Sequence, residues 1–338
     1  MKITTIGLDI AKMIFHYVAV NQRGKFVQKK KLKRRDLASH MSAIAPCLIV
    51  MEACGGANYW ARVFLALGHE VKLIAPQFVK PFVRGNKNDY NDAQAIAEAA
   101  QRPTMRFVPI KTLAQQDIQN VHRQRERIKK ERTALVNQIR GLLAEYGIVI
   151  NKSITAVRRA LPIILDDTGN ELSVLARAFF AESLEELRAI EQRFDICGQR
   201  IKASNKENEV CKRLNDIHGI GPIIASATYA AAGDGKEFKN SRHFPAWLGL
   251  VPGQHSSGDK PVLLGISKRG NTYLRTLYIH GARSVLRHSI NKTDRFSRWA
   301  LSLQARIGFN KACVAIANKL ARIAWVIMAR GETYKPAS

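Results

Sequence analysis

The chain predicts an α/β domain followed by a mainly helical remainder, and three observations carry that expectation. Short apolar runs alternating with turn residues fill the first hundred positions. Long, charged helical patterns free of proline occupy much of the middle, and a basic, glycine-punctuated segment closes the chain. Two of the early runs, Ile6-Gly7-Leu8-Asp9 and Leu48-Ile49-Val50-Met51-Glu52, end in a carboxylate that a buried strand cannot hold without a partner.

Residues 2–9, 13–20 and 25–32 have the lengths and patterning of strands, with Asn21-Gln22-Arg23-Gly24 as the turn between the last two. A short helix over about 35–45 leads to the strand that ends at Glu52. A helix near 58–68, a strand at 69–74 and a helix carrying Asp89 and Asp92 follow. Arg102-Pro103 breaks that helix, so the domain is expected to span 1–105. The order βββαβαβα is the layout of a ribonuclease-H-like fold, whose mixed sheet sets the first and fourth strands side by side. In that fold Asp9 and Glu52 meet.

Asp89 and Asp92 lie three apart and share one helix face. Two carboxylates about 4 Å apart repel by roughly 4 kcal/mol at an effective dielectric of 20. Four converging on one pocket therefore point to divalent cations. An all-oxygen site suits Mg²⁺, with Mn²⁺ as a substitute, because Mg²⁺ keeps waters and completes its shell from substrate phosphate. Taken singly, each acid has an ordinary reading: Asp89 as a helix cap, Asp92 as a partner of the helix dipole. Lys80, Arg84 and Lys87, just ahead of Asp89, suit a substrate phosphate, and singly are ordinary surface charges.

Residues 111–147 and about 171–210 form two long helical patterns, the second marked by Gly198. They predict a helical region over 106–212 built as an antiparallel or intermolecular coiled coil, the alternative being a bundle folded onto the first domain. From 213 to 338 the character changes. Ile217-His218-Gly219-Ile220-Gly221-Pro222 before an Ala/Ile-rich helix suggests a helix–hairpin–helix-like element, whose N–H groups can hold a phosphate.

The net charge is +27, from 54 basic and 27 acidic residues, and such a surface attracts polyanions, nucleic acid first. Residues 260–330 hold 14 Lys or Arg and one acid, Asp294, whereas a solvated helix face mixes signs. With 46% apolar residues the chain is globular. No apolar stretch is expected to reach the roughly 18 residues of a membrane span. The N-terminus lacks a signal-peptide layout. The five cysteines form no CxxC pair. A cytoplasmic protein with reduced thiols is expected.

A second cluster runs from Pro252 to Lys260, followed by Gly265–Asn271 and Leu274-Arg275. A Ser/Gly loop rimmed by His255, Lys260, Lys268, Arg269 and Arg275 suits a phosphodiester, and a serine there can attack phosphorus where cations offset the developing charge. By composition alone, Ser256-Ser257-Gly258 is equally an ordinary turn.

These residues carry a resemblance. Gly7-Leu-Asp-Ile-Ala-Lys12, Met51-Glu-Ala-Cys-Gly-Gly56 and Asn88-Asp-Tyr-Asn-Asp-Ala93 resemble the first domain of the DEDD transposases of bacterial insertion sequences. Ile217–Pro222, Trp247-Leu-Gly-Leu-Val-Pro252, His255–Gly258 and Ile266–Arg275 resemble the family's second domain. The families are those numbered one-ten and eleven-eleven, known as bridge-RNA-guided recombinases, and the resemblance covers nearly the whole chain. It implies a RuvC-like domain in which Asp9, Glu52, Asp89 and Asp92 bind Mg²⁺. It also implies a C-terminal transposase domain whose serine, directly before a glycine, joins DNA covalently. That serine maps onto Ser257, with Ser256 the neighbouring alternative. Donor and target DNA, a non-coding guide RNA and a homo-oligomer, dimer or tetramer, are the implied partners.

Three other readings compete. A RuvC-like endonuclease would hydrolyse branched DNA by metal-activated water and leave the serine loop without a role. A sugar-kinase or actin-like ATPase is suggested by Gly7–Lys12, but the chain shows no second phosphate motif of that fold. An architectural binder would keep the acids as structural residues.

Overall fold

A computed structural model describes residues 2–86, 88–256 and 262–335. The chain forms two compact units, Met1–Thr112 and Leu113–Ser338. The first is an α/β unit and the second is mainly helical.

The first unit is built on β1 (Thr5–Asp9), β2 (Ile14–Val20), β3 (Phe26–Lys33), α1 (Leu37–Ser42), β4 (Leu48–Glu52), α2 (Ala57–Ala66), β5 (Glu70–Ile74), α3 (Pro76–Val79), α4 (Asp89–Ala100) and β6 (Phe107–Val108). The sheet order is β3-β2-β1-β4-β5-β6. β1, β4 and β5 are mutually parallel neighbours, while β2, β3 and β6 pair antiparallel with theirs. Side chains alternate between the two faces of a strand. Ile6, Leu8, Phe15, Tyr17, Ile49 and Met51 therefore pack on one face with α1 and α2, through Leu37, Met41, Trp60 and Phe64. Val18, Val20, Val50 and Ile74 sit on the opposite face, where buried alanines of α4 cover them. By the same parity Gly7, Asp9, His16 and Glu52 belong to the α4 face.

The proximity of α4 to β1 rests on Gly7. A Cβ there would stand 2.2 Å from the Ala93 carbonyl oxygen and 2.5 Å from the Ala97 nitrogen, both backbone atoms that cannot swing aside. The sequence marks the domain's end at Arg102-Pro103, and α4 does end at Ala100. The chain then returns to the sheet, where β6 pairs with β5. Arg62 donates to the Lys111 carbonyl at 2.8 Å, and the Lys111 N–H donates to Asn58 at 2.9 Å, tying the exit to α2.

The second unit opens with α5 (Leu113–Ala144), α6 (Ile154–Asp166) and α7 (Val174–Glu207). α5 and α7 run antiparallel: Tyr146 meets Phe180, Glu131 pairs with Arg193 at 3.7 Å, and Ile118 packs with Ile201. Gly141 and Gly198 lie inside these helices without breaking them. The segment between the two long helices holds α6, whose Val157 and Leu161 complete the apolar seam.

Beyond lie α8 (Glu209–Asn215), α9 (Pro222–Ala232), α10 (His243–Trp247), β7 (Pro252–Gln254), β8 (Leu263–Ile266), α11 (Thr272–Ser289), α12 (Arg295–Ile307) and α13 (Phe309–Arg330). The expectation about apolar stretches is corrected by α13. It has 22 residues, and an 18-residue stretch within it has mean hydropathy 1.6, so it is long and apolar enough to cross a membrane by length and composition. Lys311, Lys319 and Arg322 interrupt the run in the sequence, but on the helix Cys313, Ile316, Ala317, Leu320, Ala321 and Ala324 form a buried side at the heart of the unit's core.

Gly7→Ala is expected to destabilise the first unit by about 1–3 kcal/mol, the usual range for overpacking, and to move α4 off β1. Urea melts followed by near-ultraviolet dichroism check the first effect. Loss of divalent-cation binding checks the second, and unchanged binding would show that the close approach does not set the site.

Candidate active site

Four acids converge at one end of the first unit. Asp9 ends β1 and Glu52 ends the neighbouring parallel strand β4. Asp89 and Asp92 occupy the first turn of α4. The helix is capped by Asn88, whose side chain accepts the Tyr90 N–H at 2.9 Å, so Asp89 is left free of the capping role. Carboxylate oxygens of Asp9, Asp89 and Asp92 all lie within 4.8 Å of one another. Glu52 stands outside that triangle but within its field.

The field is visible in the proton affinities. Burial, then the Asp92, Asp89 and Glu52 carboxylates, push Asp9 up to about 6. Burial and then Asp92 raise Glu52 above the usual carboxylate range. Cys54, just past β4, is raised by burial and by Glu52 and Asp9. The imidazole of His16, buried opposite Asp9 in the strand register, lies 3.2 Å from Asp89 and meets the Tyr90 ring edge-on. Lys29 lies 4.9 Å from the Tyr90 ring centroid. Neither His16 nor Tyr90 was legible as a site residue in sequence; the only signal for His16 was its place on a strand antiparallel to β1. An all-oxygen donor set, half-buried and short of countercharge, fits a hard divalent cation.

The basic residues ahead of α4 are not alike. Lys80 is exposed, whereas Arg84 is 3.2 Å from Glu98, which also holds Arg102 at 3.1 Å. Lys87 lies outside the described residues.

The second cluster is a hairpin. β7 and β8 pair antiparallel, and the His255 N–H donates to the Val262 carbonyl at 3.0 Å beyond them. The Ser256 hydroxyl accepts from the Gln254 amide at 2.8 Å and from the Val262 N–H at 3.2 Å. Ser257 and Lys260 lie outside the described residues. At the hairpin base two backbones cross. A Cβ on Gly249 would stand 2.1 Å from the Arg269 oxygen, and one on Gly270 would stand 1.9 Å from the Trp247 oxygen. Both glycines also have positive φ. Arg275, expected at the rim, is buried instead: its guanidinium donates to the Leu248 carbonyl at 2.9 Å and to the Thr272 hydroxyl at 3.1 Å. His255, Lys268 and Arg269 are exposed. Among the described residues Lys268 is the one non-glycine with positive φ, 54°, a conformation that costs energy and is held by its N–H bond to Gly249.

A sheet that gathers four acids, followed by a basic helical unit with a serine hairpin, is a layout suited to an enzyme that works on nucleic acid. Comparison with known proteins narrows this. Residues 6–148 match the DEDD transposase model of the IS110 group, and residues 211–298 match the model described as "Transposase IS116/IS110/IS902 family". The chain is 47% identical to the transposase for insertion sequence element IS1111A of Coxiella burnetii, over 98% of this chain and 92% of that protein. It is 46% identical to a probable family 20 transposase of Pseudomonas aeruginosa, over 99% and 100% of the two chains. It is 37% identical to the transposase for IS1328 of Yersinia enterocolitica, over 98% of each. The chain belongs to the IS110 family of insertion-sequence transposases, and is a DNA transposase.

Because folding raises the proton affinity of Asp9, its protonation favours the folded state below pH 4, and that contribution is lost as pH rises through about 6. In metal-free buffer, the stability difference between wild type and Asp9→Asn should therefore shift toward the variant across pH 4–6, and added Mg²⁺ should restore the wild type. Thermal melts of both proteins measure this; a pH-independent difference would mean that the carboxylates share no field.

Proposed function

We propose that this transposase cleaves and rejoins DNA with two centres, a Mg²⁺ site in a RuvC-like first unit and a serine nucleophile on the β7–β8 hairpin. The observation that carries the first is the convergence of Asp9, Asp89 and Asp92 from separate elements, with Glu52 in their field. Asp9, Glu52, Asp89 and Asp92 would hold the cation, with Mn²⁺ as a substitute, and it would offset charge on the reacting phosphate. The strand order and the placement of α4 support the RuvC-like reading.

For the nucleophile, Ser257 matches the family's serine, which stands directly before a glycine; Ser256, whose hydroxyl accepts from Gln254 and Val262, is the neighbouring alternative. The Ser257 oxygen bonds to phosphorus while the bond from phosphorus to one sugar oxygen breaks, and that oxygen leaves as a hydroxyl. His255 would take the serine proton and pass it to that departing oxygen, and Lys260, Lys268 and Arg269 would offset the phosphate charge. The phosphoserine ester conserves the bond energy, so a DNA hydroxyl can later reverse the step and join a new partner. Hydrolysis would discard it.

Joining two duplexes needs several active sites in one complex, so a dimer or tetramer belongs to this reading. Val149, Ile163, Val174 and Leu175, where α5 gives way to α6 and α7, are 85, 70, 88 and 81% exposed and supply apolar surface for such contacts. Sequence choice is delegated to a non-coding guide RNA, which the net charge of +27 accommodates alongside DNA.

Four outcomes test this. Trapped cleavage reactions should contain DNA attached to the peptide carrying Ser257. Ser257→Ala should lose adduct and recombination while keeping DNA affinity, and Ser256→Ala should keep the adduct. A wild type that yields only hydrolysed ends would favour the branched-DNA endonuclease. Binding to duplex should also be strongly salt-dependent, with a log–log slope near −7 for about eight neutralised phosphates, and one discrete RNA should copurify from cells carrying the whole element. Full-rate, site-specific recombination after nuclease digestion of all RNA would remove the guide from the scheme.

A further inference from the structure

A cleft of about 930 Å³ in the second unit lies between α12, α13 and the segment that follows α13; Arg295, Phe296, Trp299, Lys319, Tyr334 and Lys335 are among its walls. Phe296 and Trp299, one turn apart on α12, stack with centroids 5.6 Å apart and planes at 25°. Both rings are only half-buried. The Lys319 ammonium reaches across from α13 to lie 4.0 Å from the Trp299 centroid and 5.3 Å from that of Phe296.

The charge here is one-sided. Burial, then the charges of Arg295 and Arg322, pull Lys319 below the usual lysine range, so three cations share one field. Among the described residues none of the three has a carboxylate at ion-pair distance. Glu332, also in the wall, is 3.6 Å from Arg330, and Asp294 accepts the Phe296 and Ser297 N–H groups as the cap of α12. A second lobe of about 500 Å³ shares Trp299 and Lys319 and extends to Ser241, Asn318 and Arg322. Asn318 donates to the Leu250 carbonyl at 3.2 Å, two residues ahead of β7, so this lobe reaches the base of the serine hairpin.

We propose that this two-lobed cleft holds unpaired nucleotides of a DNA single strand, one base stacking on the Phe296–Trp299 pair and its phosphate meeting Arg295, Lys319 and Arg322. Aromatic faces beside a cationic track are how single strands are held without sequence preference, because every base has a face and every nucleotide a phosphate. A duplex buries its base faces and cannot use the ring pair. Lys319 covers the indole when no strand is present and turns to the phosphate when a base takes its place. The inference rests on DNA being the substrate, which strand exchange must unpair, and it adds a place for the unpaired strand near the hairpin.

The test uses the full-length protein with a 15-nucleotide oligo-dT carrying one 5-iododeoxyuridine, a matching duplex and an oligo-U RNA. Photocrosslinking of the iodinated strand should give adducts at Trp299 or Phe296. Trp299→Ala should weaken oligo-dT binding by roughly 5- to 150-fold, the effect of losing one stacked base, and Lys319→Gln should weaken it as well, with duplex affinity changed less than twofold in both. Trp299→Phe, which keeps a stacking face and spares the fold, should retain most of the oligo-dT affinity. Adducts only at other sites, or equal losses on single strand and duplex, would overturn the proposal. So would a Trp299→Ala defect confined to RNA, which would give the cleft to an RNA strand. Unchanged oligo-dT binding beside intact duplex binding sinks the cleft alone, whereas a wild type that binds no DNA sinks the functional reading beneath it.

Discussion

The contact between α4 and β1 at Gly7 is the constraint on which the acidic site depends. Asp9 is fixed by the end of β1, and Glu52 by its parallel neighbour β4. Asp89 and Asp92 arrive on a helix that could have crossed the sheet at an ordinary packing distance. Backbone atoms of Ala93 and Ala97 instead rest where a side chain at position 7 would be. The first turn of α4 is thereby brought down beside Asp9, and oxygens from three acids come within 4.8 Å of one another. Small residues at 93, 95, 97 and 99 keep the helix close along its length.

That proximity has an electrostatic cost which a fold does not incur by accident. Asp9 is pushed up to about 6 by burial and by three other carboxylates, in a chain with twice as many basic as acidic residues. The described basic residues nearby do not neutralise the cluster: Arg84 is engaged by Glu98, and His16 touches only the outermost member, Asp89. A donor set of this kind suits a divalent cation, which is the role proposed for it above. The surplus basic residues lie elsewhere, exposed on the hairpin at Lys268 and Arg269 and in the cleft of α12 and α13.

The serine hairpin follows the same logic of backbone approach. Gly249 and Gly270 let the strand leaving α10 and the strand entering α11 cross with no side chain between them. The buried Arg275 then ties the crossing to α11 through Leu248 and Thr272. The motif glycines and the arginine serve the base of the loop, while His255, Lys268 and Arg269 remain exposed around it. Arg275 was misjudged from sequence because a guanidinium in a basic motif carries no local sign of burial. That sign comes from the Leu248 carbonyl, to which the guanidinium donates from 27 residues further along the chain, and only the fold brings the two together.

The sequence by itself determined the strands that end in Asp9 and Glu52, the helix that carries Asp89 and Asp92, the long helices α5 and α7 and the polyanion-seeking charge. Each of these is written in local periodicity, turn residues and composition. Tertiary structure decided the rest. β6 is two residues long and has no period to detect; it exists because β5 offers an edge. α6 was hidden by Pro162 and by the short apolar pattern around it, and it forms against the α5–α7 seam. The apolar side of α13 was masked by lysines and arginines at helical spacing. His16 joins the acidic site through strand register, and Lys319 meets Trp299 across two helices. Local pattern fixes which residues form an element, but which side chains meet depends on contacts between residues far apart in the chain, and those are set only when the elements pack.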